Sequence, residues 1–163
     1  MSSPQFSGEM LVMSANFDQE ILEKIASFGC SVVHIPAEDD LPPFSFSVGI
    51  TKTVAAPELI VIGLRQELAH VLINDYYEHL RGGETFRAGE RYAGFLEGFD
   101  VVMARVAESF YEEYLGYNLG FYEGANFEVL QLIYPNTQGF WPWEAEADAW
   151  FRARQPLLQE EGR

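Results

Sequence analysis

The sequence predicts a single α+β domain in which a mostly antiparallel sheet is flanked by about three helices. The predicted elements run helix, strands, helix, several strands and helix, an order that favours this class over alternating βαβ units. The chain has 163 residues, of which 48% are hydrophobic and 15% aromatic, enough for one core. It shows no internal repeat or low-complexity tract. We expect a flexible N-terminal arm over residues 1–9, one α+β domain over residues 10–158 and a C-terminal tail over residues 159–163.

The strongest strand signals lie between Pro42 and Leu64, in two predicted strands joined by a loop. In the first, apolar residues at 44, 46 and 48 alternate with small residues at 45, 47 and 49, which predicts one apolar and one small-residue face. The small-residue face indicates either another packed layer or a groove that admits a ligand or a partner's side chain. The second strand, Glu58–Ile62, is a nearly continuous apolar run that is typical of burial on both faces, and Pro57 precedes it.

An amphipathic helix is predicted before these strands. Asn16 and Gln19 have the spacing of a capping box, apolar residues follow at helical spacing over residues 17–28, and Gly29 suits the end of a helix. A strand then follows over residues 30–35. An acidic, extended loop containing Glu38, Asp39 and Asp40 leads back to the central strands.

The second half alternates helical and extended patterns. Glycines make residues 82–98 rich in turns, with short strands whose ends the sequence defines poorly. A helix is predicted over 65–81, with its inward stripe formed by Leu68, Val71, Leu72, Tyr76 and Leu80. Then follow a strand over 100–107, a short helix over 108–114, a strand over 127–134 and a loop over 136–143. The last predicted element is a helix over 144–158, with Ala147, Trp150 and Phe151 inward.

Composition excludes several classes of partner. Ten Lys and Arg against 25 Asp and Glu give a formal charge of −15 and a pI near 4.4. Nucleic acids and anionic membranes favour basic surfaces, so we expect neither as a partner. A basic protein partner is favoured instead, because opposite charge accelerates encounter. The alternative is that the acidic surface only maintains solubility.

Cys30 is the one cysteine, which rules out an internal disulfide and a cysteine-based zinc site. Since it precedes an apolar strand, we expect a small buried residue and not a reactive thiol. No apolar run approaches the length of a membrane span, and the first ten residues lack the pattern of a signal peptide. A cytoplasmic location is therefore predicted.

No assembled catalytic motif is apparent. His70 and His79 lie nine positions apart on one predicted helix, which places them on opposite sides and prevents them from sharing a metal ion. His34 is either a base, a ligand or an ordinary strand histidine. The sequence has no HExxH, G-x-S-x-G, GxxxxGK[ST] or GxGxxG motif in a suitable context, so we assign no catalytic residue, cofactor site or metal site.

Aromatic residues are concentrated between positions 134 and 143, where Trp141 and Trp143 flank Pro142. Such residues are common at binding hot spots, because they bury a large area at low entropic cost. They also close the ends of hydrophobic cores. The segment is therefore either a lid on the core or a recognition loop.

Glycine, proline and aromatic positions along the chain match a known pattern. These positions are Phe28-Gly29, Pro43-Phe44, Ser47-Val48-Gly49, Pro57-Glu58-Leu59, Gly63-Leu64, Gly82-Gly83, Gly89, Gln131, Tyr134-Pro135, Gly139 and Pro142-Trp143-Glu144. With them the sequence resembles the bacterial family labelled domain of unknown function 4262 over about residues 20–145. This resemblance implies a small cytoplasmic bacterial domain and carries over no catalytic or cofactor-binding residue. Some small acidic bacterial domains of this kind serve as immunity proteins, which neutralise a toxin by binding it.

These observations lead to a functional hypothesis of a non-enzymatic acidic binding protein, most concretely a bacterial immunity protein that binds a basic toxin domain. One alternative is an enzyme of split-barrel type that binds flavin or another small molecule, by analogy in the order of elements. Another is a domain that dimerises through a sheet edge. The candidate partner-binding residues are Glu38, Asp39, Asp40, Trp141 and Trp143.

Overall fold

The computed structural model describes the backbone of residues 8–159 and the side chains of residues 18–159. It confirms an α+β domain built on a six-stranded sheet of order β1-β2-β3-β6-β5-β4, in which only the β3–β6 pair is parallel. The strands are β1 (Ser31–Ile35), β2 (Phe44–Val48), β3 (Glu58–Ile62), β4 (Arg91–Leu96), β5 (Phe99–Arg105) and β6 (Val129–Ile133). The helices are α1 (Gly8–Phe28), α2 (Ile50–Val54), α3 (Gln66–Arg81), α4 (Tyr111–Tyr114), α5 (Gly116–Phe121) and α6 (Ala149–Arg154), with a 3₁₀ turn at Glu108–Phe110.

Strand β3 has the bounds that the sequence predicts, whereas β2 ends at Val48, one residue before the predicted alternation ends at Gly49. All five residues of β3 are buried, as expected for a strand covered on both faces. The connection between the two strands contains the short helix α2, where the sequence indicates only a loop. Gly49 precedes α2 with a φ of 105°, a conformation that favours glycine.

Helices cover both faces of the sheet. On one face Leu59 and Val61 share a buried cluster with Leu72 and Ile73 of α3. On the other face Ile60 and Ile62 belong to a second cluster with Ile21 and Ile25 of α1. Helix α3 packs against β2, whose serines at 45 and 47 are buried. The small-residue face of β2 is therefore covered by a packed layer.

Two details of the predicted helices are wrong. Helix α1 begins at Gly8, so Asn16 lies inside it and does not cap its N-terminus. Residues 1–7 of the predicted arm and residues 160–163 of the predicted tail lie outside the described residues.

On α3 Val71 is 52% exposed, because the inward stripe runs through Ala69, Leu72 and Ile73. That stripe recurs every three or four residues from position 69 and places Val71 on the solvent side.

The last helix is much shorter than predicted. Asp148 begins α6 by accepting a hydrogen bond from the Phe151 N–H (2.8 Å), and the helix ends at Arg154. Ala147 and Phe151 are buried as predicted, but Trp150 is 68% exposed, contrary to its predicted inward position. One short helical turn has only a narrow inner face, and Phe151 occupies it.

Two glutamines fix the segment that follows α6. Gln131 of β6 accepts from the Leu158 N–H and donates to the Pro156 carbonyl, both at 2.9 Å. Gln155 accepts from the Tyr134 N–H at 3.0 Å and donates to the Tyr134 carbonyl at 2.9 Å. Both amides are buried, and the oxygen and nitrogen of each are hydrogen-bonded. Gln131 thus binds the backbone after α6, where Pro156 has no N–H to continue the helix.

Candidate functional site

A groove of about 610 Å³ opens at the carboxyl ends of β3 and β6. The two strands are parallel, so both end at the same edge of the sheet, a position where ligand sites commonly form. The groove continues beside the β4–β5 turn and α6. Its apolar lining consists mainly of Leu64, Leu68, Leu96, Phe99, Pro135 and Phe151.

Gly63 builds the floor of this groove. It follows β3 with a φ of 91°, and its N–H donates to the Pro43 carbonyl at 2.8 Å. Tyr134 donates its hydroxyl to the Ile62 carbonyl at 2.7 Å. A Cβ at position 63 would lie 2.4 Å from the Arg154 carbonyl oxygen, so only glycine allows this approach of α6 to β3.

Charged and aromatic side chains form the rim of the groove. Glu97 projects from the β4–β5 turn, and Asp148 stands at the start of α6. The Arg154 guanidinium lies 5.3 Å from the ring centroid of the exposed Trp150, a cation–π arrangement that holds the indole at the rim. The groove thus combines an apolar lining with carboxylates, an arrangement suited to an apolar side chain flanked by cations.

The predicted acidic residues form a tight turn between β1 and β2. The Glu38 N–H donates to the Leu41 carbonyl (3.0 Å), and the Leu41 N–H donates back to Glu38 (2.7 Å). Asp39 has a φ of 51°, which aspartate tolerates in turns. Asp40 completes the turn, and all three carboxylates are exposed. Backbone bonding therefore fixes the turn from which these exposed carboxylates extend.

The acidic turn lies at the same end of the sheet as the groove. Ile35, at the end of β1, pairs with Phe44, which pairs with Ile62 at the end of β3. Gly63 follows Ile62 and lines the groove. Adjacent strands are about 4.8 Å apart, so the turn begins roughly 10 Å from β3. We missed the groove in the sequence because its lining comes from segments that only the β3–β6 pairing brings together.

The two predicted tryptophans lie elsewhere and differ in exposure. Their rings stack with centroids 5.3 Å apart and planes within 1°. Trp141 is 7% exposed and carries Arg91 over its face at 5.1 Å, which fits a lid on the core. Trp143 is 51% exposed and lines a separate cavity of about 570 Å³ with Val102 and Ile133. The structure does not bring the tryptophans together with the acidic turn, and the role of these five residues in binding stays a prediction.

A buried carboxylate lies at the opposite end of β3. The side chain of Glu58 has no exposed surface and accepts hydrogen bonds from five donors. Burial raises the pKa of Glu58, and its hydrogen bonds oppose that rise. The donors are the Ser47 hydroxyl (2.7 Å), the N–H groups of Gly49 (3.1 Å), Ile50 (3.3 Å) and Thr51 (3.2 Å), and the Tyr122 hydroxyl.

The surroundings of Glu58 give it a structural role. Cys30 is buried, as predicted, and burial and then the Glu58 carboxylate raise the pKa of its thiol to about 12, which disfavours the reactive thiolate. Asn118 donates to the Ser47 carbonyl at 2.9 Å, and its Oδ1 has no hydrogen-bond partner within residues 18–159. Because Glu58 is enclosed and bonded to β2, α2 and Tyr122, it joins elements of the fold and does not face a substrate.

The histidines form one pair that the sequence does not reveal. His34 contacts the Ser45 hydroxyl through Nδ1 (2.7 Å) and His70 Nδ1 through Nε2 (3.2 Å). Burial, then the nearby His70 and Lys24, lower the pKa of His34. His79 instead contacts Glu84 at 2.7 Å, so His70 and His79 have different neighbours, as their spacing predicts. The His34–His70 contact joins a strand to a helix, and the sequence alone gives no signal for it.

Neither a cluster of metal-binding side chains nor a membrane-spanning helix is found in the described part of the chain. No three or more His, Cys, Asp and Glu side chains converge there as a metal site. Likewise, none of its helices combines the length and apolar character needed to cross a membrane.

Comparison with known proteins identifies the family but no function. No curated protein and no solved structure matches the chain. A family model described as a domain of unknown function (DUF4262) matches residues 24–148, which agrees with the resemblance over about residues 20–145. The match covers most of the 163 residues. The chain therefore belongs to the domain of unknown function family DUF4262.

Proposed function

We propose that this protein is a non-enzymatic, cytoplasmic binding protein, most concretely a bacterial immunity protein that neutralises a basic toxin domain by direct binding. The observation that carries the proposal is the groove at the carboxyl ends of β3 and β6, where apolar walls meet carboxylates. An apolar anchor of the partner enters the groove, and its lysines and arginines meet the acidic rim.

The distribution of charge supports a basic partner. The formal charge of the chain is −15, so a cationic protein is attracted from a distance before any contact forms. Glu97 and Asp148 then act at the groove itself. The turn containing Asp39 and Asp40 extends the acidic surface at the same end of the sheet, and its backbone hydrogen bonds reduce the entropy lost on binding.

Trp150 supports a protein partner at this groove. Its side chain is 68% exposed, and Arg154 packs over one face. An orientated, exposed indole beside an apolar cavity offers a large contact area at low entropic cost. We therefore add Trp150 to the contact residues and expect it to contribute more than the buried Trp141.

A split-barrel flavin enzyme remains the alternative prediction. The described sheet is open, with β1 and β4 at its edges, and does not close into a barrel. The fold analogy on which the alternative depends is thus weak. An absorbance spectrum of the purified protein, recorded before and after heat release of small molecules, tests it directly.

The test of the proposal is co-expression with the product of the adjacent gene. We expect that product to arrest growth when expressed alone, to be harmless with this protein, and to co-elute with it on a sizing column. A harmless neighbour, or the absence of a complex, would overturn the proposal.

Two variants and one control then examine the groove. Trp150→Ala is expected to speed dissociation, raising Kd by more than about tenfold, as at interface hot spots. Glu97→Lys is expected to slow association. Glu113→Lys changes net charge equally but lies on α4, which packs in the cluster on the other face of the sheet and contributes no residue to the groove. Equal effects of Glu97→Lys and Glu113→Lys would place the contact away from the groove.

A further inference from the structure

His34 and His70 bring two imidazole nitrogens together at the surface between β1 and α3. His34 Nε2 lies 3.2 Å from His70 Nδ1, and the ring centroids are 5.4 Å apart. We propose that this pair binds a divalent transition-metal ion of the class that prefers imidazole, namely Zn²⁺, Cu²⁺ or Ni²⁺.

The separation of the two nitrogens suits one shared ion. Two nitrogens bound to zinc at about 2.0–2.1 Å with tetrahedral geometry are about 3.3 Å apart. The observed separation is 3.2 Å. His70 is exposed, so a small rotation of its ring directs both lone pairs at one ion without movement of the backbone. Without metal, the same two nitrogens share a hydrogen bond.

Ser45 orients the first of these ligands. Its hydroxyl lies 2.7 Å from His34 Nδ1, and the serine is 3% exposed. A histidine that binds metal through one nitrogen is usually held by a hydrogen bond at the other. Ser45 is fixed in β2, and its hydroxyl is able to accept from Nδ1–H in the tautomer of His34 whose Nε2 carries the lone pair for the ion.

Glu67 offers a further ligand. It precedes His70 by three positions on α3, which places both side chains on one face of the helix. Within residues 18–159 no three such side chains converge already, so Glu67 joins the ion by rotation of its exposed side chain. His70 also lines a cleft of about 810 Å³, which gives the ion an entry path and room for solvent ligands.

Lys24 provides an electrostatic test of the same geometry. Its ammonium is near enough to disfavour a positive charge on His34, and it lines the cleft beside His70. A bound cation experiences the same repulsion. Lys24→Gln is therefore expected to tighten metal binding, whereas Glu67→Gln is expected to weaken it.

The experiment uses the full chain without an affinity tag. Isothermal titration with ZnCl₂ measures stoichiometry and Kd, and electron paramagnetic resonance with substoichiometric CuCl₂ detects nitrogen ligands. We expect one ion per chain, and a loss of affinity of at least about tenfold in His34→Gln and in His70→Gln. His79→Gln is the matched control, because His79 is exposed on the same helix and contacts Glu84 instead.

Two results would overturn the proposal. One is unchanged affinity in both His34→Gln and His70→Gln. The other is an equal loss in His79→Gln, which would indicate adventitious surface coordination. If His34→Gln does not fold, His70→Gln still decides the outcome, since the exposed His70 side chain is not part of the core.

Discussion

Tyr122, just after α5, donates its hydroxyl to the carboxylate of Glu58 at the start of β3, and 64 positions separate the two residues in the chain. The same carboxylate accepts from Ser47 at the end of β2 and from the N–H groups of Gly49, Ile50 and Thr51 at the start of α2. One side chain therefore holds four segments of the fold in register.

Replacing Glu58 by Gln is expected to destabilise the fold by about 1–3 kcal/mol, because at least one buried N–H loses its acceptor. Ser47 and Ile50 donate to the same oxygen of Glu58. If the amide nitrogen of glutamine takes the place of that oxygen, the Ser47 hydroxyl is able to rotate and accept from it. The Ile50 N–H is not able to accept and loses its partner. Chemical denaturation measures the loss. Tyr122→Phe should cost less, because every N–H that binds Glu58 keeps its acceptor and the Lys52 N–H, which donates to the Tyr122 hydroxyl at 3.3 Å, is exposed to water. A larger loss in Tyr122→Phe would contradict this account.

The pH dependence of stability should carry the signature of Glu58. Burial raises its pKa above the ordinary value of 4.5, so near that pH the folded protein retains a proton that the unfolded chain has released. The contribution of Glu58 to the free energy of unfolding therefore falls as pH rises from about 4.5 through the raised native pKa. The measurement is the difference in stability between wild type and Glu58→Gln across this range. A difference that grows with pH would mean that the hydrogen bonds outweigh burial.

Cys30 should resist thiol reagents in the folded protein. Its pKa is raised to about 12 and its side chain is 8% exposed, so the reactive thiolate is scarce at neutral pH. We expect labelling with a chromogenic disulfide reagent to follow global unfolding and to become rapid in denaturant. Fast labelling under native conditions would indicate that the reagent reaches Cys30 through the cleft that it lines with Tyr77 of α3.

Gly63→Ala should be far more damaging than Gly83→Ala. Both glycines have positive φ, 91° and 98°, so each substitution costs about 1 kcal/mol in backbone strain. A Cβ at Gly83 meets nothing within 4 Å, whereas one at Gly63 lies 2.4 Å from the Arg154 carbonyl. Displacement of α6 adds about 1–3 kcal/mol. Thermal unfolding of the two variants, measured side by side, tests the difference; equal losses would leave strain as the sole cause.

Local patterns predicted the central strands, but not what lies between them. The order of apolar and small residues and the turn residues beside them define β2 and β3. This order is visible in the sequence, because it follows from which faces of a strand are buried. Helix α2 was missed because its five residues, ITKTV, have no amphipathic repeat and depend on Glu58 to bind their N–H groups. These hydrogen bonds form only in the folded protein, so the helical propensity of the five residues does not predict α2.

The candidate site was less predictable than the fold. The acidic turn was visible as a run of carboxylates, whereas the groove requires the parallel pairing of β3 with β6. The last helix was predicted too long because the prediction followed the apolar residues at 157 and 158 and overlooked Pro156. Proline has no N–H for a helix and disfavours helical dihedrals at the residue before it, and Gln155 has φ −127° and ψ 73°. The groove therefore depended on partners distant in sequence, whereas the end of α6 has a local cause.

The parallel pairing of Glu58 with Val129 also constrains how the chain reaches its native state. The loop closed by this contact is long, because α3, β4, β5, α4 and α5 all lie within it. Its conformational entropy must be lost before the β3–β6 contact stabilises the fold. On the ribosome α1 and α3 emerge before β6 and are able to cover the faces of β3, but the edge of β3 that pairs with β6 stays unprotected until β6 follows. A nascent chain halted before residue 129 should therefore depend on chaperones and precipitate without them.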